Sequence, residues 1–168
     1  TYRYNERGML LSETDAAGDT RTYTYDALGN LLSETDERGA ATTYTYDYTQ
    51  NQTASITDAA GGTVTYTYRE GGLPEKISYP GDTWETYTYD TLGRTVSMTD
   101  EGGLKTTYTY DLLSNPLTRT NALGETETYT YDRNNRLSGI TRPDGSTITY
   151  DYNQLDAALS TDYSREED

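Results

Sequence analysis

The sequence contains no cysteine, no histidine and no phenylalanine. Without cysteine there is no disulfide framework and no thiolate nucleophile, and without histidine there is neither a Ser-His-Asp triad nor a zinc site of the usual kind. We therefore predict that the chain is not an enzyme and has no catalytic residue, no metal site and no cofactor. The lack of cysteine fits an oxidising and a reducing compartment equally well.

Aliphatic residues are also scarce, since Leu, Ile and Val number 15, 4 and 2 among 168 residues. This scarcity, together with a formal net charge of −15, is typical of a disordered chain. The sequence nevertheless contains 19 tyrosines and 33 threonines, and both residue types favour β-strands. Because tyrosine can pack while its hydroxyl stays in water, the composition predicts a folded, β-rich chain.

Long apolar runs and clustered positive charge are missing as well. No run of about 18 apolar residues occurs, which predicts no membrane insertion. The first residues, Thr1–Tyr4, do not have the pattern of a signal peptide. The 13 Lys and Arg against 28 Asp and Glu argue against binding to nucleic acid, which requires positive charge facing the phosphates.

What the sequence does contain is a repeat. The pattern Tyr-x-Tyr begins at positions 2, 23, 44, 66, 87, 108, 129 and 150, a spacing of 21 residues with a single spacing of 22. These pairs account for 16 of the 19 tyrosines. A period of this length indicates an array in which each repeat is one supersecondary unit.

Each repeat has the pattern of a β-hairpin. In residues 22–39, Thr and Tyr alternate over 22–25, and a second short strand is predicted over 31–35. Two Asp-x-x-Gly segments, 26–29 and 36–39, have Asp where a type I turn accepts backbone hydrogen bonds, and Gly where the chain turns left-handed. The turn pattern, with Asp or Asn first, recurs at 5–8, 15–18, 58–61, 90–93, 100–103 and 121–124, and Pro143 favours a turn at 142–145.

The two faces of the predicted sheet differ in polarity. Both tyrosines of a repeat share one face, and in every second strand at least one of two same-face positions, such as Leu32 or Ile56, is apolar. The opposite face is rich in Thr and Ser. We therefore predict an all-β fold, a repetitive antiparallel meander with one hairpin per about 21 residues, packed on the tyrosine face and solvated on the other. Since open sheets rarely exceed about ten strands without curling, we expect a curved or spiralling β-sheet strip; which face is concave stays open.

The repeat resembles a known family. The unit Tyr-x-Tyr-Asp-x-x-Gly-(Asn/Arg)-Leu at Tyr23–Leu31 is similar to the YD repeat of RHS (rearrangement hotspot) proteins. Tyr129–Leu137 is a close match, and Tyr87–Thr95 differs in its final Thr. Related repeats occur in bacterial polymorphic toxins, in the cocoons of insecticidal toxin complexes and in teneurins. The resemblance implies a strip that spirals into a hollow shell, which encloses a toxic C-terminal segment in the bacterial proteins and forms an extracellular scaffold in teneurins.

The resemblance leads to a prediction of function. We expect a non-catalytic β-sheet wall segment of a larger secreted or cell-surface protein, with eight YD repeats in 1–153 (the first one truncated) and a partial repeat arm and acidic tail in 154–168. Its expected partner is the remainder of its parent chain: flanking repeats and a C-terminal toxin cargo. The Asp-Pro-x-Gly-Leu-like stretch that the family has near its autoproteolysis point does not occur, and we do not expect this length to close around a cargo. Unpaired strand edges would also favour edge-to-edge self-association.

A second interpretation is a recognition module that binds a glycan or a protein through exposed tyrosines and Trp84. An exposed Trp84 near Tyr79 could stack on a sugar ring; we favour the alternative that this lone tryptophan fills the edge of the sheet. The segment 47–51 lacks glycine, and we favour a longer hairpin turn with Asn51 in the left-handed conformation over a specialised loop.

The acidic residues suggest two further possibilities, catalysis and calcium binding. Glu34 with Asp36, or Glu125 with Glu127, could be read as the acid and base of a glycosidase. We favour a turn role for Asp36 and a place on the polar strand face for Glu125 and Glu127. The spacing of the turn aspartates fits neither the EF-hand loop nor the calcium-binding nonapeptide repeats.

Overall fold

The computed structural model describes residues 1–153 and 158–164. Its strands are β1 (Tyr2–Tyr4), β2 (Leu10–Thr14), β3 (Thr20–Tyr25), β4 (Leu31–Thr35), β5 (Ala41–Asp47), β6 (Gln52–Thr57), β7 (Thr63–Tyr68), β8 (Pro74–Ser78), β9 (Trp84–Tyr89), β10 (Thr95–Asp100), β11 (Lys105–Tyr110), β12 (Pro116–Thr120), β13 (Thr126–Tyr131), β14 (Leu137–Thr141), β15 (Thr147–Tyr152) and β16 (Ala158–Ser164). They form one open sheet in chain order. The predicted antiparallel hairpin meander is confirmed.

The chain divides into two compact units, Thr1–Thr86 and Tyr87–Asp168. Within the described residues, no helix is long and apolar enough to cross a membrane.

Two kinds of strand pairing alternate along the sheet. Inside a hairpin the ladder runs up to the turn with a bulge: β3 and β4 pair from Thr22↔Thr35 to Tyr25↔Leu31, with a register shift just before Tyr25. The same shift precedes the second tyrosine in seven hairpins. Between hairpins the ladder is three pairs long at all seven junctions. The ladder between two hairpins therefore does not reach the first residue of the second strand, and the hairpins separate there.

The turns explain why Asp and Gly recur. In the turn at 26–29, Gly29 N–H donates to the Asp26 carbonyl at 3.2 Å, and Asp26 N–H donates to the Asn30 carbonyl at 2.9 Å. The Asp26 carboxylate accepts the N–H groups of Leu28 and Asn30, each at 2.8 Å. Gly29 has φ 99°, a left-handed conformation in which a Cβ is unfavourable. The predicted roles of the turn aspartate as acceptor and of the turn glycine as the left-handed residue are confirmed.

Three turns place a residue other than glycine in the left-handed position: Asp82, Ser114 and Asn135, with φ of 63°, 70° and 65°. In the longer loop after β5, Asn51 has φ 52°. The prediction of an extended hairpin turn with a left-handed asparagine is therefore confirmed.

The faces differ in exposure as predicted, although less sharply. From Tyr23 onward both tyrosines of every pair are half-buried, while the residue between them is exposed. Among the described residues, Ile148 (6% exposed) is the buried apolar side chain, and Ser97, bonded to Thr88 on the threonine face, is buried as well. The tyrosine face is thus half-covered rather than packed. Stability must come from many cross-strand pairs, each worth about 0.2–1 kcal/mol.

Substitution of Gly103 tests the turn geometry. Gly103 has φ +75° and no heavy atom within 4 Å of a built Cβ, so steric crowding plays no part. We expect Gly103→Ala to lower the free energy of unfolding by about 1–2 kcal/mol through backbone strain alone. Gly103→Asn should cost less, because asparagine tolerates this conformation. Equal losses for the two variants in urea unfolding would contradict the explanation.

Candidate functional site: a tyrosine ladder between repeats

In five described repeats the second tyrosine joins its hairpin to the one before it. Its hydroxyl donates to a backbone carbonyl fifteen residues earlier, at or next to the start of the preceding second strand. The pairs are Tyr46 to Leu31, Tyr68 to Thr53, Tyr110 to Thr95, Tyr131 to Pro116 and Tyr152 to Leu137, at 2.7–2.9 Å.

The need for this bond follows from the short junction ladder. The β10–β11 ladder covers Ser97 to Thr99, so the Thr95 carbonyl lies beyond its last pair. A backbone carbonyl without a partner costs free energy when it is removed from water. The Tyr110 hydroxyl spans the gap that the diverging strands leave. Burial raises the pKa of Tyr110, which keeps the hydroxyl protonated as the donor that this bond requires.

In two repeats the first tyrosine contacts a glutamate side chain instead. The Tyr23 hydroxyl donates to Glu13 at 2.8 Å and the Tyr44 hydroxyl to Glu34 at 2.9 Å, each across one junction. The hydrogen bond to Glu13 raises the pKa of Tyr23. These glutamates lie on the tyrosine face. The hydrogen bond from the phenol hydroxyl offsets part of the free energy that removing a carboxylate from water costs.

Glu127 also lies on the tyrosine face. The predicted place on the polar strand face is wrong for this residue, because Glu127 precedes Tyr129 by two positions in β13 and side chains alternate with a period of two. The Tyr129 hydroxyl donates to its carboxylate at 2.5 Å. Burial, the larger cause, and this hydrogen bond raise the pKa of Tyr129 to about 12.

The other carboxylates weighed as a catalytic pair are engaged in turns. Asp36 accepts the N–H groups of Arg38 and Ala40 at 2.9 and 2.8 Å, as its predicted turn role requires. Glu125 accepts a bond from the Asn121 amide at 2.6 Å. In residues 1–153 and 158–164 no group of three acidic side chains is placed to hold a metal ion.

The residue after the turn glycine forms a third link. Arg94 donates from Nε to Asp90 at 2.6 Å and from Nη1 to the Asp111 carbonyl in the next turn at 2.8 Å. Its guanidinium carbon lies 4.8 Å from the centre of the Tyr110 ring, a cation–π contact. Sequence analysis did not predict this link between successive turns. The available signal was the Asn/Arg position of the repeat motif.

Arg136 repeats the arrangement two repeats later in the same unit. It contacts Asp132 at 2.6 Å, donates to the Asn153 carbonyl at 3.2 Å and lies 4.5 Å from the Tyr152 ring. The hydrogen bond from Arg136 holds the pKa of Asp132 below its usual value. Where asparagine occupies this position, as in Asn115, its side-chain amide bonds the turn aspartate and lowers the pKa of Asp111.

Trp84 does not belong to the tyrosine face. In the β8–β9 ladder it pairs with Ser78, so it lies on the threonine face, while Tyr87 lies on the other. The Lys76 ammonium is 5.1 Å from the centre of its ring. The expectation that Trp84 fills the sheet edge is wrong, because β9 is the ninth of sixteen strands in order. Trp84 and the paired tyrosines cannot form one recognition platform.

Two open hollows lie in the first unit. They have volumes of about 320 and 410 Å³ and share Arg21, whose Nε is 3.6 Å from Glu37. Acidic side chains such as Asp15 and Asp58 line them together with backbone turns.

Together the hairpins and the tyrosine ladder define a β-hairpin repeat protein. The family model of the RHS repeat matches residues 4–41, 25–63, 89–126 and 113–147, more than half of the chain. The chain belongs to the RHS repeat family. The matches leave out residues 64–88, where the turns at 69–72 and 79–82 begin with Arg and Tyr instead of Asp.

Solved structures share the fold. A crystal structure of TcdB2-TccC3 matches with a TM-score of 0.79 and 19% identity, over 96% of this chain and 11% of that chain. The complex TcdB2-TccC3-Cdc42 matches with 0.79 and 18% over the same shares. The Photorhabdus luminescens Tc holotoxin pore matches with 0.74 and 20%, over 95% of this chain and 9% of that chain. The chain thus spans about a tenth of the length of these proteins, and no curated protein matches it.

Removal of single hydroxyls tests the ladder. We expect Tyr110→Phe to lower the free energy of unfolding by about 1 kcal/mol, because the Thr95 carbonyl loses its donor. Tyr108→Phe is the matched control, since no hydroxyl bond of Tyr108 occurs among the described residues. Chemical unfolding of both variants gives the comparison. A loss at Tyr108 as large as at Tyr110 would count against the ladder.

The pKa shifts predict a stability maximum at intermediate pH. The lowered pKa values of Asp111 and Asp132 add stability above the unfolded-state pKa of about 4, and this contribution is lost as pH falls through the folded-state values. The raised pKa values of Tyr110 and Tyr129 add stability that is complete below about pH 10 and lost as pH rises through the folded values. We expect melting temperatures to fall below about pH 4 and above about pH 10.

Tyrosinate absorbance supplies the matching readout for the alkaline limb. Some of the 19 tyrosines should have a pKa above about 10 in the folded chain, and this pKa should return to about 10 in urea. Identical titration curves in buffer and in urea would refute the alkaline half of the prediction.

Proposed function

We propose that this chain is a structural wall segment of a larger RHS protein, a toxin-encapsulating shell or an extracellular scaffold. The observation that carries the proposal is the tyrosine ladder, in which the second tyrosine bonds a hairpin to its predecessor in five described repeats. Such an array extends by adding identical units, and each unit is stabilised by its neighbours. Similarity in fold to TcdB2-TccC3 and to the Tc holotoxin pore supports a place in a much longer chain.

The segment itself is proposed to be non-catalytic. Its candidate carboxylates serve structural bonds: Glu34 accepts from Tyr44, and Asp36 accepts turn amides. The side chains of the ladder bond neighbouring strands to each other. The exposed face consists mainly of threonine and serine hydroxyls that hydrogen-bond to one another, as Thr24 does with Ser33 at 2.6 Å. Such structural hydrogen bonds are what a non-catalytic wall segment requires.

The proposed organisation keeps the predicted boundaries. Residues 1–153 supply eight YD repeats and 154–168 a partial arm with an acidic tail, of which β16 is the described part and residues 165–168 lie outside the described residues. We propose a secreted or cell-surface location because one matched structure is a Tc holotoxin pore. The partners proposed are flanking repeats and a C-terminal toxin cargo of the parent.

Limited proteolysis of the parent polypeptide tests the wall function. If the repeats enclose a cargo, the segment following the array should resist protease in the native protein. Tyr110→Ala, which removes a half-buried ring, its carbonyl bond and the Arg94 contact, should expose that segment. Thr109→Ala, on the exposed face next to it, is the control and should preserve protection.

The outcomes separate the alternatives. Cleavage of the following segment at the same rate in native and Tyr110→Ala protein would overturn enclosure and leave the scaffold. Turnover on a glycoside panel by this chain, abolished by Glu34→Gln, would overturn the non-catalytic assignment.

A further inference from the structure

We propose that Tyr48 is a site of one-electron oxidation and that its ring then couples to the ring of Tyr46, which gives a dityrosine within one chain. Tyr48 lies in the irregular turn at 47–51, outside the eight Tyr-x-Tyr pairs. The co-reactant is a one-electron oxidant of the peroxidase class, which uses hydrogen peroxide. The inference is independent of the proposed wall function.

Tyr48 combines an exposed ring with a proton acceptor. The residue is 56% exposed, whereas Tyr46 is half-buried. The Tyr48 hydroxyl donates to Oδ2 of Asp26 at 2.8 Å, and both residues belong to the compact unit Thr1–Thr86. An oxidant in solution therefore reaches a phenol whose proton already faces a carboxylate.

Other tyrosines with a carboxylate acceptor are less accessible. Tyr23, Tyr44 and Tyr129 donate to glutamates but are half-buried. Tyr79 is 37% exposed, and its bond to Glu85 is longer, at 3.2 Å. Exposure and a short bond to a carboxylate thus coincide at Tyr48.

Asp26 is held in its charged form. Its Oδ1 accepts three backbone N–H groups of the turn, and its Oδ2 accepts the Asn30 amide as well as the Tyr48 hydroxyl. Burial acts to raise the pKa of Asp26, but the hydrogen bonds from Asn30 and Tyr48 hold it well below its usual value. A phenol that loses an electron becomes a strong acid. The carboxylate can accept its proton in the same step, because it is already in place.

Tyr46 supplies the second ring. The ring centres of Tyr46 and Tyr48 are 6.3 Å apart, and the ring planes meet at 42°. The Tyr46 hydroxyl donates to the Leu31 carbonyl at 2.8 Å, which holds this ring beside the turn. Because the chain has a formal net charge of −15, two chains repel each other, and coupling within one chain is favoured over coupling between chains.

The coupling balances in atoms and electrons. Each phenol loses one electron and its hydroxyl proton; Asp26 accepts the proton of Tyr48, and water accepts that of Tyr46. A carbon–carbon bond forms between the ring positions next to the two hydroxyls. The hydrogen atoms on those carbons move to the oxygens, which restores both phenols. The two electrons and two protons reduce one hydrogen peroxide to two water molecules.

The pair Tyr66 and Tyr68 is the matched comparison within the same unit. Its ring centres are 6.4 Å apart, nearly the same distance as in the proposed pair. Both rings are half-buried, and the Tyr68 hydroxyl donates to the Thr53 carbonyl rather than to a carboxylate. Ring distance alone predicts equal coupling in the two pairs, whereas exposure and the proton acceptor predict coupling of Tyr46 with Tyr48.

Peroxidase treatment of the full chain, followed by peptide mapping, tests the site. A protease that cleaves before aspartate separates Tyr46 and Tyr48 into peptides 36–46 and 47–57, which the new bond joins, and fragmentation locates the linked rings. Peptide 58–81 reports coupling of Tyr66 with Tyr68 as a loss of two hydrogen atoms. We expect the joined peptides to be the main coupled product and to be absent from Tyr48→Phe.

Asp26→Asn is the variant that removes the proton acceptor and keeps the turn. Asparagine serves at the same turn position in Asn121, whose Oδ1 accepts the N–H groups of Leu123 and Glu125 at 3.0 Å. We expect Asp26→Asn to lower the rate of coupling at least about tenfold, since a positioned proton acceptor contributes about 100- to 10,000-fold to a rate.

Iodination distinguishes proton transfer from a change in exposure. Iodine reacts with the ionised phenol, and the hydrogen bond to Asp26 is the largest cause that raises the pKa of Tyr48. Asp26→Asn should therefore speed iodination of Tyr48 while it slows peroxidase coupling. A variant that only altered the turn or the exposure of the ring would move both rates in the same direction.

Four results would overturn the proposal. They are coupling of Tyr66 with Tyr68 as fast as that of Tyr46 with Tyr48, chains linked to each other as the main product, an unchanged coupling rate in Asp26→Asn, and a shift of coupling and iodination in the same direction. Absence of any coupling at Tyr48 would overturn it as well.

Discussion

The hydrogen bond from the second tyrosine to a carbonyl fifteen residues earlier, made in five described repeats, is the constraint on which the junctions between hairpins depend. It arises because two strand-pairing modes alternate, a long bulged ladder within hairpins and a three-pair ladder between them. The β4–β5 ladder ends at Ser33↔Thr43, so the carbonyl of Leu31 lies beyond its last pair. The Tyr46 hydroxyl donates to that carbonyl. A phenylalanine at this position would fill the same volume and leave the carbonyl without its donor.

The same constraint explains how a chain so poor in aliphatic residues folds. From Tyr23 onward the paired rings are half-buried, and a tyrosine whose hydroxyl reaches an acceptor, as Tyr110 does, contributes apolar area and a hydrogen bond at once. Charge is accommodated at the edges: turn aspartates accept backbone N–H groups, and arginines such as Arg94 join one turn to the next. Many small local contacts replace a deep core, as expected of an array in which each unit contacts its neighbours.

Sequence reasoning found what is periodic and local. The hairpins, the Asp-x-x-Gly turns and the left-handed Asn51 all follow from turn chemistry and alternation. The face of Glu127 was predicted wrongly although strand alternation places it, since Glu127 precedes Tyr129 by two residues. The same alternation places Trp84, three residues before Tyr87, on the face opposite the tyrosines. The carbonyl acceptors of the tyrosines could not be predicted in this way. They depend on where the three-pair ladder between two hairpins ends, a property of two strands from different hairpins that no single repeat displays.

The irregular repeat shows which spacing matters. The hairpin after Tyr46 carries one extra residue, and the distance between successive tyrosine pairs grows from 21 to 22. The insertion lies in the turn, between Asp47 and Gln52, which pair directly. Because it precedes Thr53, the Tyr68 hydroxyl still reaches back fifteen residues, as Tyr46 does to Leu31. The turn absorbs a change of length and the junction does not, so the invariant of this array is the step between a second strand and the tyrosine that follows it, rather than the length of the repeat.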